Sequence, residues 1–148
     1  MPKRKEHCYE FPRPAVTVDV VLFRPSTDGH EVLLIRRGRE PFRGRWAFPG
    51  GFVDPFEPLE RAARRELREE TGLTRIRLEQ LAAFGDPGRD PRGHTISIVF
   101  TGTVGGRRRM KAADDADEVQ WFAVNDLPPL AFDHAKILRH ALREGRER

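Results

Sequence analysis

The residues best equipped for chemistry lie close together: Glu66, Glu69 and Glu70 crowd one short stretch of the chain. That stretch, 58–71, reads as a helix. Pro58 suits its first turn, where a missing N–H costs nothing, and Gly72 stands just past its end as a stop. On a wheel of about 100° per residue with Leu59 at zero, Ala62 falls at about 300°, Ala63 at about 40° and Leu67 at about 80°, an apolar stripe centred close to zero. Glu66 lands at about 340° and Glu70 at about 20°, within the stripe, with Glu69 at its edge at about 280°. Carboxylates therefore point at the interior, in the last turns of a helix whose dipole also opposes them. Something positive must sit among them. Arginines reaching inward would serve as a salt-bridge cluster, but Arg61, Arg64 and Arg68 occupy the opposite side of this helix. A hard divalent cation such as Mg²⁺, which takes carboxylate and carbonyl oxygens and usually keeps several waters, fits the donors better.

The residues before the helix complete a ligand frame. Gly50–Gly51 allow the backbone to approach closely, so a carbonyl of that loop can reach the same ion, and Glu57 is placed to pair with Arg65. To hold such a frame the chain offers strands at 14–23 and 31–37, joined by a turn over 25–29 into a hairpin, and a brief strand at 46–48. Further strands are expected at 75–84, 94–104 and 119–124, with a closing helix at 132–143 carrying Ile137, Leu138, Ala141 and Leu142 on one side. Strands mixed with two helices imply one layered α/β or α+β domain.

Length and composition agree. A chain of 148 residues is the size of one ordinary domain, and 38% hydrophobic with 34% charged residues is a globular balance. No run approaches the roughly 18 apolar residues of a membrane span, and the charged start lacks the apolar stretch of a secretory signal, so a cytoplasmic protein is expected. The single cysteine, Cys8, excludes an internal disulfide and a thiolate zinc site. All but four of the 27 basic residues are arginine, and the net charge is +4. Arginine suits bidentate contact with phosphate oxygens, which invites a nucleotide or nucleic-acid ligand, although a solvated basic surface has the same composition.

Taken together, Gly51, five residues, Glu57, seven residues and then Arg65-Glu66-Leu67-Arg68-Glu69-Glu70-Thr71-Gly72-Leu73 resemble the Nudix box, the signature of the Nudix hydrolases, over 51–73. The likeness extends from about Pro14 to Leu142 and includes the segment WFAVNDLP. It implies an α/β/α sandwich with a mixed β-sheet, a single domain over 14–144 between a basic tail (1–13) and a short C-terminal one (145–148). It also implies Mg²⁺-dependent hydrolysis, with Mn²⁺ a substitute, of a nucleoside diphosphate linked to another moiety. Glu66 and Glu70 would be the principal metal ligands, Glu69 an additional ligand or water orienter, Gly51 a carbonyl ligand, and Glu57 with Arg65 the brace. The loop Gly85-Asp86-Pro87-Gly88-Arg89-Asp90-Pro91-Arg92-Gly93-His94-Thr95 and the segment Leu130-Ala131-Phe132-Asp133-His134 are similar to those of small ADP-ribose pyrophosphatases, which would release AMP and ribose 5-phosphate.

The resemblance also implies a general base after the box, among Asp114, Asp115, Asp117 and Glu118; Glu118 is preferred because a strand comes directly after it. Arg36, Arg45 and Arg92 are expected to hold the diphosphate. Trp46, Phe48 and Phe84 are core aromatics or adenine platforms, His94 and His134 hydrogen-bonded structural residues, and Arg107–Arg109 a hairpin tip. A homodimer is expected, and neither nucleic acid nor membrane as a partner. The alternatives are a nucleotide-pool sanitising, NADH or dinucleoside polyphosphate hydrolase, and a ligand-sensing regulator, which the intact box and the absence of a winged helix after it disfavour.

Overall fold

The computed structural model describes residues 8–105 and 116–146. Among these, in chain order, are β1 (Ala15–Ser26), β2 (Gly29–Arg37), β3 (Trp46–Ala47), β4 (Gly50–Phe52), α1 (Leu59–Thr71), β5 (Glu79–Phe84), β6 (Thr95–Thr103), β7 (Ala116–Ala123) and α2 (His134–Arg146). β1 runs parallel to β6 from Ala15↔Thr95 to Phe23↔Thr103, whereas the other named strands pair antiparallel, so the sheet is mixed.

β1 and β2 stay together only from Phe23↔Val32 to Ser26↔Gly29, beside their connecting turn, and then diverge. Two short strands fill the fork: β4 takes the vacated edge of β1, Thr17↔Phe52 to Asp19↔Gly50, and β3 takes that of β2, Ile35↔Ala47 and Arg36↔Trp46. β7 covers the other edge of β2.

Strand alternation divides the apolar side chains between two cores. Val18, Val20, Leu22 and Leu33 pack with Ala62, Ala63 and Leu67 of α1. Val21, Val32, Leu34 and Val99 pack with Ile137, Leu138 and Ala141 of α2. The result is the expected α/β/α sandwich. Covered on both faces, β1 is a nearly continuous apolar run, as buried strands are, and Asp19 interrupts it.

The elements differ from the sequence reading mainly at their ends. Pro58 is the residue capping α1, not a member of its first turn: its backbone is extended, and its carbonyl accepts the Ala62 N–H at 3.0 Å. Gly72 ends the helix as expected, at φ 77, its N–H donating to the Arg68 carbonyl. The strand expected from 75 begins at Glu79, because Arg75 takes φ 58 and Leu73, Ile76 and Leu78 are drawn into the α1-side core. The brief strand at 46–48 stops at Ala47, and after Pro49 an unanticipated β4 resumes on β1. β7 starts earlier than expected, at Ala116, and α2 starts later, since Phe132 sits at φ 51. Arg107–Arg109 lie outside the described residues. No helix among the described residues is long and apolar enough to cross a membrane.

Leu67, 2% exposed, anchors α1 to the sheet. Leu67→Ala is expected to lower the unfolding free energy by about 2–5 kcal/mol, and Arg61→Ala on the solvent side by no more than about 0.5 kcal/mol, both read from denaturant titrations.

Candidate active site

The fork between β1 and β2 opens into a cavity of about 350 Å³, floored by Thr17, Asp19, Phe48 and His134 and walled on one side by Gly50, Gly51, Glu66, Glu69 and Glu70. The inward carboxylates of α1 meet the glycine pair directly. The Gly50 N–H donates to Glu70 Oε2 at 2.9 Å. A Cβ on Gly51 would lie 2.6 Å from Glu66 Oε1, and one on Gly50 would lie 2.2 Å from the Val18 carbonyl, so neither position admits a side chain without displacement.

Arg65 ties this corner together. Its Nε and Nη2 form a fork on Glu57, at 2.8 and 2.9 Å; Nη1 donates to Glu66 Oε1 at 2.8 Å and to Glu69 Oε2 at 3.3 Å; Nη2 also reaches the Phe52 carbonyl at 3.1 Å. One guanidinium thus joins the end of β4, the turn before α1 and two of the three glutamates. Arg65 itself lines the cavity, and Glu57 stands behind it.

The charge balance leaves Glu70 exceptional. Hydrogen bonds from Arg65, then from the Asp54 N–H, hold the Glu57 carboxyl down at about 2. Burial pushes Glu66 above the ordinary carboxylate range against the pull of Arg65. Glu70 is pushed up to about 8, by burial first and then by the charges of Glu66 and Asp19, with only the Gly50 N–H and the more distant Arg37 opposing. A corner with more acid than cation, lined with carboxylate oxygens, suits a hard divalent ion. No three carboxylate or imidazole groups among the described residues already stand at the spacing of a closed cage.

The lining of the cavity is also cationic. Arg37, Arg39, Arg89 and Arg92 border the cavity together with Phe52 and Phe132. Arg89, its side chain 5% exposed, is locked in a fork on Asp133. Arg92 forms a fork on buried Asp90 and lies over the rings of Phe52 and Phe132, at 4.8 and 5.5 Å. Arg37 donates through Nε to the Pro41 carbonyl at 2.7 Å, and its guanidinium lies 5.0 Å from the Phe132 ring.

Of the residues expected from sequence, the cavity gathers Gly51, Arg65, Glu66, Glu69, Glu70 and Arg92. It does not gather Arg36, Arg45 or Glu118. Alternation along β2 turns Arg37 to the cavity and Arg36 to the opposite face, where the register Arg36↔Glu118 leaves those two in an exposed ion pair at 3.5 Å. Arg45 is exposed, its guanidinium 5.6 Å from the Phe42 ring. Asp114 and Asp115 lie outside the described residues, and so does the side chain of Asp117. Trp46, Phe48 and Phe84 pack into the α2-side core. His94 contacts the Gly85 carbonyl at 2.8 Å. Arg37, Phe52, Phe132 and Asp19 were missed; an acid inside an apolar strand was a legible signal for Asp19.

Because the folded value of Glu57 lies below its ordinary 4.5, its pairing with Arg65 is fully present above 4.5 and is lost only as pH falls through about 2. A carboxyl-carbon NMR titration is expected to place Glu57 near 2 in the native chain, and higher in Arg65→Lys, which cannot form the fork.

The comparisons with known proteins converge on this arrangement. Residues 13–141 match the NUDIX domain family. The chain is 47% identical over 131 residues to an ADP-ribose pyrophosphatase of Methanocaldococcus jannaschii, covering 88% of this chain and 74% of that protein. It is 32% identical over 136 residues to the ADPR responsive transcriptional repressor NtrR of Acinetobacter baylyi, covering 89% of this chain but only 54% of that protein. The NUDIX domain of Shewanella oneidensis NrtR, solved in complex with ADP ribose, superposes with a TM-score of 0.84 at 33% identity, covering 90% of each chain. With the signature on α1, the sandwich around it and these likenesses in place, the chain belongs to the NUDIX domain family.

Proposed function

We propose that the protein is a Nudix pyrophosphohydrolase that cleaves ADP-ribose to AMP and ribose 5-phosphate, acting in the cytoplasm. The observation that carries this reading is the cavity itself, lined both by the carboxylates of α1 and by arginines and phenylalanines. A nucleoside diphosphate sugar has the matching polarity: a charged diphosphate for the arginines and carboxylates, and flanking groups to pack beside Phe52 and Phe132. The 47% identity to an ADP-ribose pyrophosphatase and the ADP-ribose complex of the Shewanella domain support the substrate.

Glu66, Glu70 and Glu69, with the Gly51 carbonyl, are the residues that would hold Mg²⁺, or Mn²⁺ in its place. When bound, such an ion supplies neutralising charge for the phosphate oxygens and a more acidic water. The chain's own residues do the rest. Arg65 holds Glu66 and Glu69 at the cavity, and the Gly50 N–H fixes one oxygen of Glu70. Arg92 and Arg37, which also line the cavity, orient the diphosphate. Water adds its oxygen to one phosphorus, the bridging P–O bond breaks, and the bridging oxygen leaves on the other phosphate. The water proton goes to a carboxylate. Glu69, half-exposed at the cavity, is the proposed acceptor, and Glu118, the last of the acidic run, is the alternative, which would have to leave its exposed pair with Arg36 to reach the water. A homodimer is proposed by analogy with other family members. The similarity to NtrR favours a second reading, an ADP-ribose sensor, which would bind the ligand without turning it over.

The reading is tested by incubating the protein and Mg²⁺ with ADP-ribose, NADH, diadenosine polyphosphates and oxidised dNTPs and separating the products. AMP and ribose 5-phosphate are expected, with kcat/KM for ADP-ribose at least about tenfold above the other compounds, a difference of about 1.4 kcal/mol. Binding without turnover would establish the sensor. Glu70→Gln is expected to abolish turnover. Gly51→Ala should fold, since its clash is with the mobile end of Glu66, yet lose most activity. Glu118→Gln and Glu69→Gln separate the two proton acceptors: the true base costs roughly 10²-fold or more in kcat.

A further inference from the structure

The floor of the cavity holds polar groups for which hydrolysis as described has no use. Asp19 lies in the middle of β1, 8% exposed, and Ser97 on β6 donates its hydroxyl to Asp19 Oδ2. Asp19 Oδ1 faces His134 Nε2 at 3.7 Å. His134, the first residue of α2 and 3% exposed, accepts the Phe48 N–H on Nδ1 at 3.1 Å and stacks on the Phe48 ring at 4.7 Å.

These contacts dictate the state of the ring. A nitrogen that accepts a backbone N–H carries no proton, so the proton of the neutral imidazole must reside on Nε2, the nitrogen turned towards the Asp19 carboxylate. Burial, which lowers the proton affinity of His134, keeps the ring neutral. The aromatic stack alone needs neither nitrogen. What the nitrogens add is a partner for the Phe48 amide, which would otherwise be a buried unsatisfied donor.

The Phe48 amide matters because it opens the segment that touches the glutamates. The Pro49 carbonyl accepts the Val20 N–H at 2.8 Å, the Gly50 N–H holds Glu70, and a Cβ on Gly51 would run into the Glu66 carboxylate. Asp19 also bounds this segment, since a Cβ on Gly50 would sit 2.5 Å from its Oδ1. We propose that Asp19 and His134 are positioning residues: together they fix the backbone from Phe48 to Gly51, and through it the places of Glu70 and Glu66. The metal-holding corner is thus clamped from behind by α2, a helix that contributes no carboxylate to it.

The test begins without substrate. Nitrogen-15 NMR of the wild-type chain at neutral pH is expected to show His134 protonated on Nε2 and bare on Nδ1; a proton on Nδ1 overturns the proposal. His134→Phe preserves the stack and removes both nitrogens. It should keep a cooperative melt, speed hydrogen exchange at the Phe48 and Gly50 amides by about tenfold or more, and lower kcat by about tenfold or more with KM within about threefold. His134→Asn, whose side-chain oxygen can take the place of Nδ1, should recover kcat to within about threefold of wild type. Asp19→Ala should speed the same two amides, and unchanged exchange would remove Asp19 from the pair. If His134→Phe merely melts lower while exchange and kcat stay at wild-type values, the histidine is only a core residue and the proposal fails. Should His134→Phe not fold, the tautomer and the Asp19→Ala exchange decide. The kcat arm rests on the ADP-ribose reading, but the NMR and exchange arms do not. A wild-type chain inert towards ADP-ribose would sink that reading and leave this one standing on its own data.

Discussion

Negative charge turned into the protein is the constraint to which the surrounding structure answers. Glu66 and Glu70 occupy the face of α1 that packs on the sheet, where burial raises both carboxyls above their ordinary range. Left to themselves they would cost more than the apolar contacts beside them return. Arg65 offsets part of that cost by spreading one cation over Glu57, Glu66 and Glu69, and the Gly50 amide offsets another part at Glu70. The remainder is the reason the corner is suited to a divalent ion: it is a place where a cation is worth more than it is in water.

The fork in the sheet is what makes room for this corner. If β1 and β2 remained paired along their full length, the glycine pair would have no edge to dock on and the cavity would be closed. Instead the two part after Phe23↔Val32, and β4 lies against the vacated half of β1, bringing Gly50 and Gly51 to α1. Side chains on either glycine would strike Val18, Asp19 or Glu66, so the close approach requires their absence. The tightness of the packing and the placement of the acids are one arrangement, because an amide can reach Glu70 only if the backbone comes this near.

The arginines divide by the same geometry. Arg36 and Arg37 are neighbours of identical chemistry, yet strand alternation assigns one to an exposed pair with Glu118 and the other to the cavity wall. Arg89 and Arg92 come from the loop before β6 and are held by Asp133 and Asp90, one carboxylate from the residue just before α2 and one from the loop itself. Composition could say that phosphate-binding side chains were abundant. It could not say which of them had been restrained by a carboxylate in a place where a ligand would meet them.

The sequence by itself determined the helix, its inward acids, the glycine pair and the Glu57–Arg65 brace, because these lie within a span of chain where the 3.6-residue period and local spacing fix relative direction. It also determined the layered α/β class, since alternating strands and two amphipathic helices have few ways to bury their faces. Tertiary structure alone decided which arginines reach the cavity, that Phe52 and Phe132 offer their rings there, and that Asp19, Ser97 and His134 meet beneath the glycine strand. Those residues are far apart in the chain, and their meeting depends on the parallel register of β1 with β6 and on where α2 begins, set by the turn at Phe132. A register shift of one residue would send Asp19 or Arg37 to the other side of the sheet, and no local pattern in the sequence encodes that choice.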